Sequence, residues 1–180
     1  MALIAYIRGL AITGCVFCGI LAVIHIYIFI LEAILWRKRA TKAFGLPQST
    51  VDVGATLAAN QGFYNLLLAA GLIWGLAELN PDRMLFFSAA IFTAGIFGAI
   101  TASPRILFVQ VIPGLLAFVF VDFGFFSPKI WSYWKHPLYL LLILIGAGLV
   151  TAILSFLIKK KFLENISKTS SQSASANDNL

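Results

Sequence analysis

The run GLAITGCVFCGILAVIHIYIFILEAILW, residues 9–36, decides the fold. It lies between Arg8 and Arg37 and holds one carboxyl, Glu32, and one histidine, His25. A bilayer core about 30 Å thick needs about 20 apolar helical residues to cross it, so this run is long enough to span. Lipid satisfies no exposed backbone N–H or C=O, so such a run must be helical. An ionisable side chain at that depth costs about 2.5–3.5 kcal/mol on insertion scales and marks a functional-site hypothesis by default.

Four further apolar runs follow. They lie between Asp52 and Glu78, between Arg83 and Arg105, from Ile106 through Asp122 to Ser127-Pro128, and from Pro137 to Ile158. Hydrophobic residues make up 61% of the chain and charged residues 11%. Soluble domains carry about 45–50% and about 25%, so a greasy soluble bundle is set aside. The expected fold is all-α: a polytopic membrane helical bundle with a four-helix core and a fifth C-terminal transmembrane helix. Spans are expected over about 10–36, 54–77, 84–103, 106–122 and 137–158. Residues 1–122 then form the membrane domain, 123–160 an aromatic loop and fifth span, and 161–180 a cytoplasmic tail. The tail after Lys168 is rich in Ser and Asn, which predicts disorder. The first run is too long for the apolar core of a cleaved signal and reads as a retained span.

The formal charge of +6 is not a nucleic-acid footprint, because the basic residues sit at the ends of runs. Arg37, Lys38, Arg39, Lys42, Arg105, Lys159, Lys160, Lys161 and Lys168 fall on one side; Arg8, Arg83, Lys129 and Lys135 fall on the other. The positive-inside rule predicts a multi-pass protein of the cell membrane, N-terminus outside and C-terminus cytoplasmic. Trp36, Trp74, Trp131 and Trp134 lie near run ends, at headgroup level. Cys15-x-x-Cys18 has redox spacing but lies inside an apolar helix with no second ligand pair, so it reads as two small packing residues; no metal and no cofactor are expected.

Depth and face bring the polar residues together. At about 1.5 Å per residue, Glu32, Asn60, Gln61, Thr101 and Gln110 all lie about 6–8 Å inside the cytoplasmic boundary. Asn65 is about a turn and a half deeper, and His25 lies near the midplane. His25, Phe29, Glu32 and Trp36 share one helix face; Gln61, Tyr64, Asn65 and Leu68 share another. Small residues allow close approach: Gly71 and Gly75 on the second run, and Ala94, Gly95, Gly98 and Ala99 on the third. Pro113 removes a backbone donor near Gln110 and can open the helix there. The candidate site is a cytoplasm-facing intramembrane pocket lined by His25, Glu32, Asn60, Gln61, Tyr64, Asn65, Thr101 and Gln110. Against it stands a plainer reading, in which Asn, Gln and Thr only hold helices together and Glu32 pairs with Arg37 or Arg105. Asp122 and His136-Pro137 read as structural groups at the outer interface.

At these residues the chain resembles a known family. The run His25-x-Tyr27-x-Phe29-x-x-Glu32-x-x-x-Trp36, then Ala58-Ala59-Asn60-Gln61-Gly62-x-Tyr64-Asn65, Ala94-Gly95-Ile96-x-Gly98-Ala99-x-Thr101 and Gln110-x-x-Pro113 is similar to the Domain of Unknown Function 1304 family. These are small bacterial integral membrane proteins with four predicted helices. The resemblance covers roughly residues 10–121 and implies the four-helix membrane fold, but no activity. After Val121 the chain departs from it by adding the fifth run and the tail.

Three functions follow. The first is binding or handling of a small amphiphile or lipid headgroup, since one carboxylate among neutral hydrogen-bonding groups suits a mostly apolar site. Transport by so short a chain would need at least a dimer. The expected partners are therefore the bilayer, a lipid or small amphiphile and a second copy of the chain. The second is a non-catalytic membrane subunit or assembly factor. The third is an acid–base enzyme such as an isomerase, with Glu32 and His25 flanking a substrate, because seven residues place their Cα atoms about 10.5 Å apart.

Overall fold

The computed structural model describes residues 2–126, 146 and 148–165. The described chain is a helical bundle. Helix α1 (Ala2–Phe29) runs into a π-helix, Ile30–Ile34, and then into a short basic helix α2 (Trp36–Phe44). Helix α3 (Gln48–Ala77) and helix α4 (Pro81–Thr101) follow. A second π-helix, Leu107–Val111, leads into α5 (Ile112–Phe126), and residues 148–165 are helical and form α6.

The breaks have local causes. Gly45 takes the left-handed conformation (φ 70°) that ends α2, and its N–H reaches Thr41 O at 2.9 Å. The Asn80 side chain caps α4 by accepting from Arg83 N at 3.1 Å, with Pro81 in the first turn, where its missing N–H is no loss.

Helix α1 packs on α5 and α3, while α4 packs on α5 and α3, so the four long helices form a ring. Its core holds Cys18, Leu21, Leu72, Met84, Ile91, Ala117 and Val121, all fully buried. The α1–α5 crossing is the closest. A Cβ at Gly14 would lie 2.7 Å from Val121 N, and one at Gly124 would strike the backbone of Ala11. Gly71 and Gly75 turn towards α4, against Phe87 and Met84, as their spacing predicts. Cys15 and Cys18 are free thiols, Cys18 buried in this core as a small packing residue. Helix α6 lies beside α4: Gly148 sits against Phe92 and Ile96, and the Lys159 ammonium donates to Ile100 O at 3.2 Å.

Three described helices are long and apolar enough to cross a membrane: Leu3–Ile34, Pro81–Thr101 and Leu107–Phe125. Helix α3 is the longest at 30 residues, but Asn60, Gln61, Tyr64 and Asn65 make it too polar to join them. Two boundaries differ from expectation. The segment expected as the first cytoplasmic loop is helix α2, because Trp36, Ala40 and Phe44 recur every four residues. The tail expected from 161 begins helical, through 165. The start of the fifth span, His136-Pro137 and the tail from 166 onward lie outside the described residues.

Candidate functional site

Glu32 owes its position to the first π-helix. There the Leu35 N–H reaches back five residues to Ile30 O at 2.9 Å, which widens the turn. The widened turn needs room, and α3 provides it with Gly62. A Cβ at Gly62 would lie 3.1 Å from both Ala33 N and Glu32 Cβ. The same close approach lets Asn65, one turn along α3, donate from Nδ2 to Glu32 Oε2 at 3.0 Å. Asn65 is 6% exposed, and its Nδ2 also reaches Gln61 O at 3.1 Å, so the donor is aimed by its own helix. Beyond the π-helix, Trp36 Nε1 donates to Val51 O at 2.8 Å and fixes the α2–α3 register.

Arg37 does not neutralise Glu32. Its guanidinium pairs with Asp52 at 3.1 Å, and Gln48 donates to the same carboxylate oxygen at 3.2 Å. Among the described residues Asn65 is the side chain found on the Glu32 carboxyl. Glu32 is half-buried, and Gln61 and Tyr64 are exposed on the flank of α3 beside it. The result is an accessible carboxyl and a buried carboxamide at one helix seam, a pair able to bind a hydrogen-bond donor such as an amine or hydroxyl.

The other candidates are not joined to this pair by hydrogen bonds. His25 is 1% exposed, with Nδ1 2.9 Å from Leu21 O; the carbonyl can only accept, so Nδ1 carries the proton. Thr101 is exposed and donates to Phe97 O at 2.7 Å, within its own helix. Asn60 is exposed on α3. Gln110 is half-buried in the second π-helix, seated on α4 much as Glu32 is seated on α3: a Cβ at Gly95 would lie 3.0 Å from Gln110 Cβ. This second opening lies just before Pro113, where a missing donor was expected to act.

Sequence reasoning missed one group. Asp122, expected as a structural group at the outer interface, is 7% exposed on α5, and its Oδ1 has no hydrogen-bond partner among the described residues. Spacing offered no signal, since burial there follows from the α1–α5 crossing. Among the described residues no group of three or more His, Cys, Asp or Glu gathers at one place.

Long apolar helices, glycine-seated π-turns and a carboxyl–carboxamide seam define a helical protein of membrane type. Residues 19–121 match the family model described as Protein of unknown function (DUF1304), and the chain belongs to that family. No curated protein and no solved structure matches it.

Proposed function

We propose that this chain is a multi-pass protein of the cell membrane that binds the polar head of a lipid or small amphiphile at the Glu32–Asn65 seam. In this reading the N-terminus is outside and the C-terminus cytoplasmic, so the seam faces the cytoplasmic leaflet. The observation that carries it is the half-buried Glu32 carboxyl, held through Oε2 by buried Asn65 and left unpaired by Arg37. A carboxyl at such a place, without a cationic partner among the described residues, suits a ligand that brings its own donor. Exposed Gln61 and Tyr64 add polar contacts on the same flank.

The test is native mass spectrometry of the full chain released from mild detergent. A small amphiphile should remain on the wild type and fall about tenfold or more in occupancy in Glu32→Gln, because the amide puts a donor where a carboxyl oxygen accepted and leaves the ligand's donor unmatched. Unchanged occupancy in a folded Glu32→Gln protein would overturn the reading.

A second reading, a non-catalytic subunit or assembly factor whose polar residues only fix helix packing, draws support from the Asn65–Glu32 and Trp36–Val51 hydrogen bonds, each of which joins α3 to the segment before it. It predicts a Glu32→Gln protein that is less stable but otherwise unaltered. The acid–base reading has less support, because the His25 ring is engaged with Leu21 O.

A further inference from the structure

Helix α2 is a short amphipathic helix with an unpartnered cationic face. At 100° per residue, Trp36, Ala40, Ala43 and Phe44 fall on one side, Lys38 and Lys42 on the opposite side, and Arg37 and Arg39 on the flanks. Ala40 is fully buried against the bundle, and the Trp36 and Phe44 rings pack with centroids 5.6 Å apart. Arg37 is held by Asp52, whereas exposed Lys38, Arg39 and Lys42 have no ion pair among the described residues.

Three links fix α2 to α3 beforehand: Trp36 to Val51 O, Arg37 to Asp52, and Thr41 Oγ1 to Gln48 Oε1 at 3.3 Å. The cationic face is therefore presented without the ordering cost a loose basic tail would meet. The same end of the bundle carries Arg105 and the Lys159 that covers the α4 terminus. At the opposite end, among the described residues, Arg83 pairs with Glu78 and lies 3.8 Å over the Trp74 ring.

We infer that α2 is an interfacial anchor whose Lys38, Arg39 and Lys42 dock on the phosphates of negatively charged lipid headgroups. Charge complementarity selects the occupant, since the headgroup layer beside a spanning bundle is the anionic surface within reach. This surface is separate from the Glu32 seam and does not rest on it.

The experiment uses the full chain in detergent with equimolar dioleoylphosphatidylglycerol and dioleoylphosphatidylcholine, and reads retained lipid by native mass spectrometry. The wild type should favour phosphatidylglycerol, with about fivefold of that preference lost per cation removed. A K38Q/R39Q/K42Q protein should lose the preference, and Arg8→Gln and Glu32→Gln should keep it. Raising salt from 0.05 to 0.5 M should shrink the wild-type preference several-fold. Equal retention of the two lipids, a preference that survives the triple substitution, or salt independence would each overturn the inference. So would loss of the preference in Glu32→Gln, which would move the anionic lipid to the other site. Full displacement by millimolar inorganic phosphate would reduce the surface to a free-phosphate site and overturn it as well.

Discussion

Asn65 and Asp122 show opposite solutions to burying a polar side chain. Asn65 uses its amide twice, on Glu32 Oε2 and on Gln61 O, so it adds a cross-link at little desolvation cost. Asp122 sits among Phe118, Val121 and other core residues of α5, with Oδ1 unpartnered among the described residues. A buried polar atom without a partner costs about 1–3 kcal/mol. Asp122→Val, close in shape, is therefore expected to raise stability by about 1–2 kcal/mol, read as a higher thermal midpoint in detergent; a lower midpoint would show that the carboxyl has a partner in the folded protein. The Glu32–Asn65 pair was partly legible beforehand. Glu32 is the one carboxyl in residues 9–36, and Asn65 stands four residues after Gln61 on one face. That the two would meet was not legible, because it depends on Gly62 and on a widened turn. Neither leaves a periodic mark.

The elements meet through glycines, and the glycines fall into distinct classes. At Gly14 and Gly124 an added Cβ meets neighbouring backbone, which cannot move aside, whereas at Gly71 it meets the ring of Phe87, which can turn. At Gly9 and Gly19 nothing lies within 4 Å. Gly14→Ala and Gly124→Ala should each destabilise by about 3 kcal/mol, the upper end of ordinary overpacking, and Gly71→Ala by less. Gly9→Ala and Gly19→Ala should be neutral or stabilising by up to about 1 kcal/mol through helix propensity. Thermal midpoints of the five proteins give the ranking, and a harmless Gly124→Ala would mean that α1 and α5 do not cross this closely. The Gly71–Gly75 spacing was readable as a motif, but Gly14 and Gly124 are far apart in the chain and advertise nothing. The π-turns were half-visible: Pro113 signalled the second, while the first is made of residues that would fit an ordinary helix equally well. Helix α2 is hard to read in the sequence, because four cations in nine residues mark the end of an apolar run as readily as the outer face of a helix.

At the scale of the whole molecule, the bundle sorts its charges by end. Short connections place the end of α1, all of α2, the start of α3, the end of α4 and the start of α5 together, and Lys159 brings α6 to the same level. Arg37, Lys38, Arg39, Lys42 and Arg105 therefore share one end, as the sequence alone suggested, because short connections force successive helices to alternate in direction. If the positive-inside rule acts on this asymmetry, that end is cytoplasmic and the Asn80–Arg83 turn is outside. In a chain carrying Cys15→Ala and Cys18→Ala, a cysteine placed by Asp82→Cys should react with a membrane-impermeant maleimide on intact cells. Cysteines placed by Ser49→Cys and Ala102→Cys, at exposed positions on the basic end, should react only after permeabilisation. The reverse pattern would invert the orientation and put the Glu32 seam in the outer leaflet. Equal labelling of Asp82→Cys and Ser49→Cys on intact cells would be incompatible with α3 crossing the bilayer at all. That outcome bears directly on α3, whose Asn60, Gln61, Tyr64 and Asn65 keep it below the hydropathy of its neighbours. If α3 does cross, it does so with Gly62 and Asn65 against the first π-helix, and Asn65, one of the residues that make it a poor span, is the one that builds the seam with Glu32.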